Sequence, residues 1–332
     1  MFKLLQRNSS INFVLLPVVI LLLWGLNLLN PLFVTHYYDA NPMVLYKPLL
    51  AIQQWSMLAG QILSILIMGA NLLLLIKINS SIRLIEKRSV FYIFLFIVFS
   101  GSLQDFRQLN PMQPALFFII LGIVSLYNMY KNERELRTIF EAGVCFSIAS
   151  LFYAQAIYFV ILAPIGLCIY VSFYWRQWFS AIAGILLPLC FVFILAYCFD
   201  ALPAQIEVWK ENLLLVHNEI TLNVFPMLFS IYLALLFVIS VLYAYTGGLK
   251  KVSIKKYYLL LLFFILYVLA IAFLISFVST EILFFGLLPA AIFISNYMVN
   301  IRSSVLAEIL FVIIIVFIVL VQIFPDVSTW LL

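Results

Sequence analysis

Charge is what this sequence has least of. Asp, Glu, Lys and Arg make up 9% of its 332 residues, where a soluble domain carries about a quarter. Hydrophobic residues reach 67% and the mean hydropathy is +1.20. In water such a composition would expose very large apolar patches, which excludes a soluble enzyme and a disordered tail. Cysteine is nearly as scarce. Cys145, Cys168, Cys190 and Cys198 all lie inside apolar runs with no C-x-x-C or paired-His spacing, which excludes a disulfide scaffold and favours small apolar packing. Gly/Ser linkers, repeats and the H-E-x-x-H, G-x-S-x-G and Walker patterns are all missing. Lys3 and Arg7 precede a long apolar run with no small-x-small cleavage site, the pattern of an uncleaved signal-anchor.

What remains is apolar runs, and they set the fold class. A membrane helix needs about 20 apolar residues. Charge, Pro and Gly divide the chain into eleven runs near 12–34, 56–77, 89–103, 114–130, 140–154, 156–174, 178–198, 223–245, 257–279, 282–299 and 304–324. The expected fold is all-α: a polytopic transmembrane bundle of about eleven spans, range nine to twelve, forming a single membrane domain over residues 1–332. The runs 89–103 and 140–154 are short, and 140–174 could be one kinked excursion.

Orientation follows from Lys and Arg, which concentrate in short cytoplasmic loops. With the N-terminus inside, only Lys47, Arg107 and Lys210 of the 18 Lys and Arg fall outside. This predicts N-in, C-out. It also explains the net charge of +5 as a topology signal, so no nucleic-acid partner is expected. The bilayer is the expected partner.

Acids run the other way, with Asp39, Asp105, Asp200, Glu207, Glu211, Glu219, Glu281 and Asp326 outside. Solvated loops would explain this, and so would an outward polar site. The first outer loop holds His36, Tyr37, Tyr38, Asp39, Tyr46 and Lys47, with turns at Asn41-Pro42 and Lys47-Pro48. Its tyrosines and Trp55 read as interfacial anchors. Asp39 is the loop's one acid. The second outer loop holds Asp105 and Arg107, a carboxylate with a guanidinium whose planar fork suits phosphate. Two loop carboxylates could activate an acceptor hydroxyl and hold a divalent metal. In the longest outer loop Leu202, Ile206, Trp209, Leu213 and Val216 recur at helical spacing. They predict an amphipathic helix near 203–216 on the outer membrane surface, with Pro203 in its first turn. Glu281 is placed to cap the following span. Within the spans, Asn27, Gln61, Ser64, Asn71 and Asn296 read as interhelical hydrogen-bonding residues.

Residues 110–189, from NPMQPALFFIILG through GVCFSIASLFYAQAIYF to FYWRQWFSAIAGILLPL, resemble a poorly characterised Bacteroidota family of polytopic inner-membrane proteins. The layout is also similar to GT-C-type membrane glycosyltransferases. That resemblance implies a sugar transferase using a polyprenyl-phosphate-linked donor and an envelope acceptor at the extracytoplasmic face. It implies Asp39 and Asp105 as catalytic carboxylates, Asp105 also as a ligand for a divalent metal. Tyr153 stands where many such proteins have a Lys, which leaves the donor phosphate to Arg107 or Lys47, with His36 and Tyr153 lining the substrate site. A carrier for a lipid or envelope precursor and a non-catalytic anchoring subunit are the alternative functions.

Overall fold

The computed structural model describes residues 10–29, 37–82, 90–102, 104–130, 135–170, 174–214, 224–249, 251–274, 280–301 and 303–323. Thirteen helices of nine or more residues carry the fold among them. They are α1 (Ser10–Leu29), α2 (Lys47–Trp55), α3 (Met57–Ile82), α4 (Phe91–Ser100), α5 (Met112–Met129), α6 (Leu136–Phe152), α7 (Leu162–Tyr170), α8 (Trp175–Cys198), α9 (Leu202–Leu214), α10 (Val224–Tyr243), α11 (Val252–Leu274), α12 (Leu283–Asn300) and α13 (Ser304–Ile323). No strand occurs among the described residues. A helix is the natural state of these runs because lipid offers no partner to backbone N–H and C=O groups.

Each of the eleven apolar runs coincides with a helical stretch. Six helices are long and apolar enough to cross a membrane: Met57–Ile78, Met112–Met129, Trp175–Cys198, Met227–Thr246, Val252–Leu274 and Leu283–Asn300. Leu16–Gly25, Phe91–Ser100, Ala154–Tyr170 and Val305–Val321 are shorter apolar helical stretches. This is the architecture of a multi-pass membrane protein. The bundle has a centre and a perimeter: 78% of the apolar window of α12 and 67% of that of α5 is buried, against 22% in α8. The exposed Leu, Ile and Phe side chains of α8 and α10 are therefore a face suited to lipid.

The two short runs resolve differently from one another. Residues 89–103 become α4, ten residues long and buried at every position. Its Phe91 and Phe94 pack on Phe311 of α13 with ring centroids 5.9 and 5.8 Å apart. Residues 140–170 form two helical stretches that meet at Tyr153. The helical path stops at Phe152, Tyr153 adopts extended backbone (φ −131°, ψ 109°), and the chain resumes as a 3₁₀ segment, Ala154–Ile161, that runs into α7. Between α8 and α9 the turn places Asp200 in the left-handed region (φ 53°), while the Ala201 N–H reaches back to the Ala196 carbonyl at 2.8 Å. Asp tolerates that conformation better than most residues.

At the start of α8 the Arg176 guanidinium lies 5.6 Å from the Trp175 ring centroid. Gln177 beside it is buried. At the same end Lys256 lies 5.0 Å over the Tyr130 ring.

Small residues let α6 and α8 meet backbone to backbone, the main source of close packing where lipid removes the hydrophobic drive. Gln177, Ala181, Gly184 and Pro188 are the buried positions of α8, one stripe at helical spacing. A Cβ on Gly143 would stand 2.7 Å from the Ala181 carbonyl oxygen, and one on Gly184 would collide with the Phe140 carbonyl. Neither contact can relax by rotating a side chain. Gly184→Ala should therefore destabilise the protein by about 1–3 kcal/mol through overpacking. Gly69→Ala, with nothing within 4 Å of its added methyl, should be neutral or gain up to about 1 kcal/mol of helix propensity. Thermal unfolding in detergent separates the two. Equal midpoints for both variants would mean that α6 and α8 do not touch at these glycines.

Candidate functional site

Five separate segments meet at one end of the bundle: the loop between α1 and α3, the turn between α4 and α5, the 3₁₀ segment after α6, helix α9, and the turn before α12. The first loop folds as a helical turn, Tyr37–Ala40, and then as α2, whose Pro48 suits a helix start. Between them the Leu45 N–H donates to the Leu151 carbonyl at 3.1 Å, pinning the loop to the end of α6.

Tyr46 is the residue on which this end converges. It is fully buried, its hydroxyl lies 3.3 Å from Asp39 Oδ1 and 3.4 Å from the Leu109 carbonyl oxygen, and Tyr38 packs edge-on at 6.0 Å. Burial first, then the charge of Asp39, the hydrogen bond to it and the charge of Glu281, push the phenol well above its ordinary value of 10.0. Tyr46 is thus a neutral donor at any physiological pH. Glu281 sits in the 3₁₀ turn Thr280–Ile282, near enough for its charge to act on the same phenol.

Arg107 ends the 3₁₀ turn Gln104–Arg107 and is buried, with 7% of its surface exposed. A guanidinium so placed requires a surrounding structure that holds it there. Gln113 provides much of it. Its side-chain NH₂ donates to the Phe106 and Gln108 carbonyls, both at 3.0 Å, and its Oε1 accepts from Ser64 at 3.0 Å. Its own carbonyl accepts from Asn71 at 3.1 Å, and its N–H donates to Asn110 Oδ1 at 3.1 Å. Gln61 adds a bond to the Arg107 carbonyl at 2.9 Å. The turn carrying Arg107 is therefore tied to α3 and α5 by buried hydrogen bonds.

Helix α9 is fastened by its polar residues. Asn212 donates to the Asn41 carbonyl at 2.8 Å and is buried, Asn41 donates to the Glu211 carboxylate, and Gln155 donates to the Asn212 carbonyl at 3.4 Å. The expected amphipathic helix is present, starting at Leu202, but its polar face is not simply solvated. Ile206 of the apolar stripe is 39% exposed, while Asn212 faces protein.

The expected site residues divide clearly. Asp39 joins the Tyr46 cluster, and the Leu109 carbonyl brings the Arg107 turn to the same phenol. Lys47 opens α2 with an exposed side chain. Tyr153 is buried and donates to Gln155 Oε1 at 2.8 Å, so it belongs to the α9 attachment. Asp105 lies in the 3₁₀ turn, but its side chain falls outside the described residues, as does the whole of His36. Tyr38 and Tyr46 are not interfacial anchors, because both are buried, whereas Trp55 is 84% exposed and fits that role. Gln61, Ser64 and Asn71 do bond between segments. Asn296 instead accepts from Asn300 within α12 at 3.1 Å, and the Asn27 side chain is outside the described residues. Among the described residues no group of three or more His, Cys, Asp or Glu lies together as a metal site would need.

Sequence reasoning missed Tyr46, Gln113 and Asn212 as organising residues. The available signals were the Gln113-Pro114 step opening an apolar run and an amide inside an amphipathic helix.

Tyr46→Phe should cost about 1–2 kcal/mol near neutral pH by removing one buried donor. An unfolded phenol ionises above pH 10 while the folded one stays neutral, so the unfolded state binds fewer protons there and stability falls. The wild-type advantage over Tyr46→Phe should be constant from pH 6 to about 9 and shrink above about pH 10. Chemical-denaturant unfolding at several pH values measures it, and an advantage that grew above pH 10 would contradict the buried, acid-flanked placement.

No curated protein and no solved structure matches this chain. One family model does, over residues 1–331, and the chain belongs to that family, the family of unknown function DUF6427.

Proposed function

We propose that the protein is a GT-C-like membrane glycosyltransferase that moves a sugar from a polyprenyl-phosphate donor to an envelope acceptor at the extracytoplasmic face of the inner membrane. In this reading the chain crosses the membrane about eleven times with its N-terminus inside, so the Asp39 end faces outward. The observation that carries the proposal is the placement of the first-loop acid. Asp39 is held at the same end as buried Arg107, in a cluster that Tyr46 joins through hydrogen bonds.

Each residue has a role in this reading. Asp39 is the general base that takes the proton from the acceptor hydroxyl as the sugar–phosphate bond breaks. Arg107 neutralises the departing phosphate, with Lys47 as a second cation at the membrane surface. Tyr46 orients Asp39 by donating to it and stays protonated throughout. Asp105 is the candidate for a divalent-metal ligand, and metal bound there would offset phosphate charge. A positioned base typically contributes about 10²–10⁴-fold in rate, and a preorganised cation aimed at developing charge adds to that.

Cells lacking the gene, complemented with wild type or with Asp39→Asn, provide the test, read as the envelope glycan profile by mass spectrometry. Asp39→Asn should reach wild-type levels in the membrane yet restore less than about 1% of the missing glycan. Full restoration by that variant would remove the central residue of the proposal. Impermeant thiol labelling of single cysteines at Trp55 and Lys210 in intact cells checks orientation, and both should label from outside.

A further inference from the structure

Several hydroxyls inside this bundle find a carbonyl close at hand. Ser100, Ser150 and Ser240 turn back to their own helices, donating to the Ile97, Ser147 and Leu236 carbonyls at 3.0, 2.6 and 2.6 Å. A tyrosine hydroxyl stands too far from its own backbone for that local bond and has to reach a neighbouring helix. Tyr92 of α4 donates to the Leu75 carbonyl of α3 at 2.8 Å, and Tyr232 of α10 to the Leu310 carbonyl of α13 at 3.2 Å. Tyr127 of α5 and Tyr258 of α11 break the pattern. Both are buried, and neither hydroxyl has a partner among the described residues. An unpaired buried hydroxyl is costly, most of all where lipid rather than water surrounds the protein.

The two exceptions lie together. The phenols of Tyr258 and Tyr92 are near enough for their charge to act on Tyr127, and Tyr258 acts likewise on Tyr92. No hydrogen bond joins Tyr127 or Tyr258 to either of the others. Polar groups at that spacing, beyond a direct bond and within reach of charge, are set for a bridging water. Three phenols supply the two to four polar partners that a buried water needs. Ser295 Oγ and Asn296 Nδ2 of α12 are buried without a partner among the described residues as well. They follow Phe293, whose ring lies 5.0 Å from that of Tyr258. A bound anion does not fit here. Among the described residues Arg107 is the buried cation, and Tyr127 stands near the far end of α5, about 22 Å from the Arg107 turn at its start.

Helix α3 carries the same chemistry back toward that turn. Gln61, Ser64, Asn71 and Leu75 fall on one face at helical spacing. Gln61 and Ser64 bond the Arg107 carbonyl and Gln113. Asn71 gives its Nδ2 to the Gln113 carbonyl, and its Oδ1 is buried with no partner among the described residues. One turn on, the Leu75 carbonyl holds Tyr92. We infer that the bundle binds a file of internal water, held by Asn71 and by the hydroxyls of Tyr92, Tyr127 and Tyr258, that extends the Gln113 network along α3 toward the opposite end. The ligand is water because these positions offer neutral hydrogen-bonding groups and no charge. The file gives an otherwise apolar bundle a continuous hydrogen-bonded seam, and it holds whether or not the protein transfers a sugar.

X-ray hydroxyl-radical footprinting of the full-length protein in nanodiscs tests it, because radicals form at bound water and label the side chains that hold it. Tyr92, Tyr127 and Tyr258 should label several-fold above Phe96 and Phe264, equally buried rings on α4 and α11 that make no hydrogen bond. Tyr127→Phe and Tyr258→Phe should each lower the thermal unfolding midpoint by about 2–4 °C, as loss of a water-bridged hydrogen bond would. Phenols labelled no more than the two phenylalanines would overturn the inference. So would midpoints that hold or rise when the hydroxyl is removed, which is the mark of a group that had no partner to lose. If a variant does not fold, the wild-type labelling decides alone. Neither result bears on the Asp39→Asn glycan test, so the water file and the transferase reading stand or fall separately.

Discussion

Hydrocarbon gives polar groups no partner, so each one the chain keeps inside the bundle has to be answered within the protein. In this molecule the answer is concentrated at one end. Gln113 binds the turn that carries Arg107, Tyr46 bridges toward Asp39 and the Leu109 carbonyl, and Asn212 anchors α9 to the first loop. Each is a neutral donor placed where a loop would otherwise lie against an apolar bundle with unpaired carbonyls. The loops are ordered by these bonds rather than by their own propensities, and the acids and the guanidinium inherit their positions from them.

The rest of the bundle supports that end by being plain. α4 is buried at every position, α5 and α12 form the centre, and α6 and α8 approach through Gly143 and Gly184. Close backbone packing of this kind fixes the separation of α6 and α8, from whose far ends the Ala154–Ile161 segment and α9 emerge. The break at Tyr153 matters for the same reason. It turns the chain from α6 into a 3₁₀ segment whose Gln155 bonds α9 through Asn212.

Much of the architecture was legible in the sequence because membrane helices announce themselves by composition. All eleven apolar runs emerge as helical stretches, and the amphipathic helix near 203–216 is present as Leu202–Leu214. Asp39 was legible as the single acid of its loop. What could not be read was burial in the loops. Tyr46 and Trp55 look alike as interfacial aromatics, yet one is fully buried and the other 84% exposed. The difference comes from the Arg107 turn packing over Tyr46, a contact between residues far apart in the chain. Asn212 is the same case: periodicity assigns it to a polar face, and only the docking of α9 on Asn41 shows that this face meets protein. The break at Tyr153 was equally hidden, since nothing in FYAQAIYF demands a 3₁₀ path.

On the proposed function, the Asp39 end receives a lipid-linked phosphate through Arg107. Native mass spectrometry of the protein extracted in mild detergent, wild type beside Arg107→Ala, addresses it most directly. The account predicts a co-purified isoprenoid phosphate on the wild type that is lost from the variant while the variant remains folded. Bulk phospholipid alone on both proteins would contradict it.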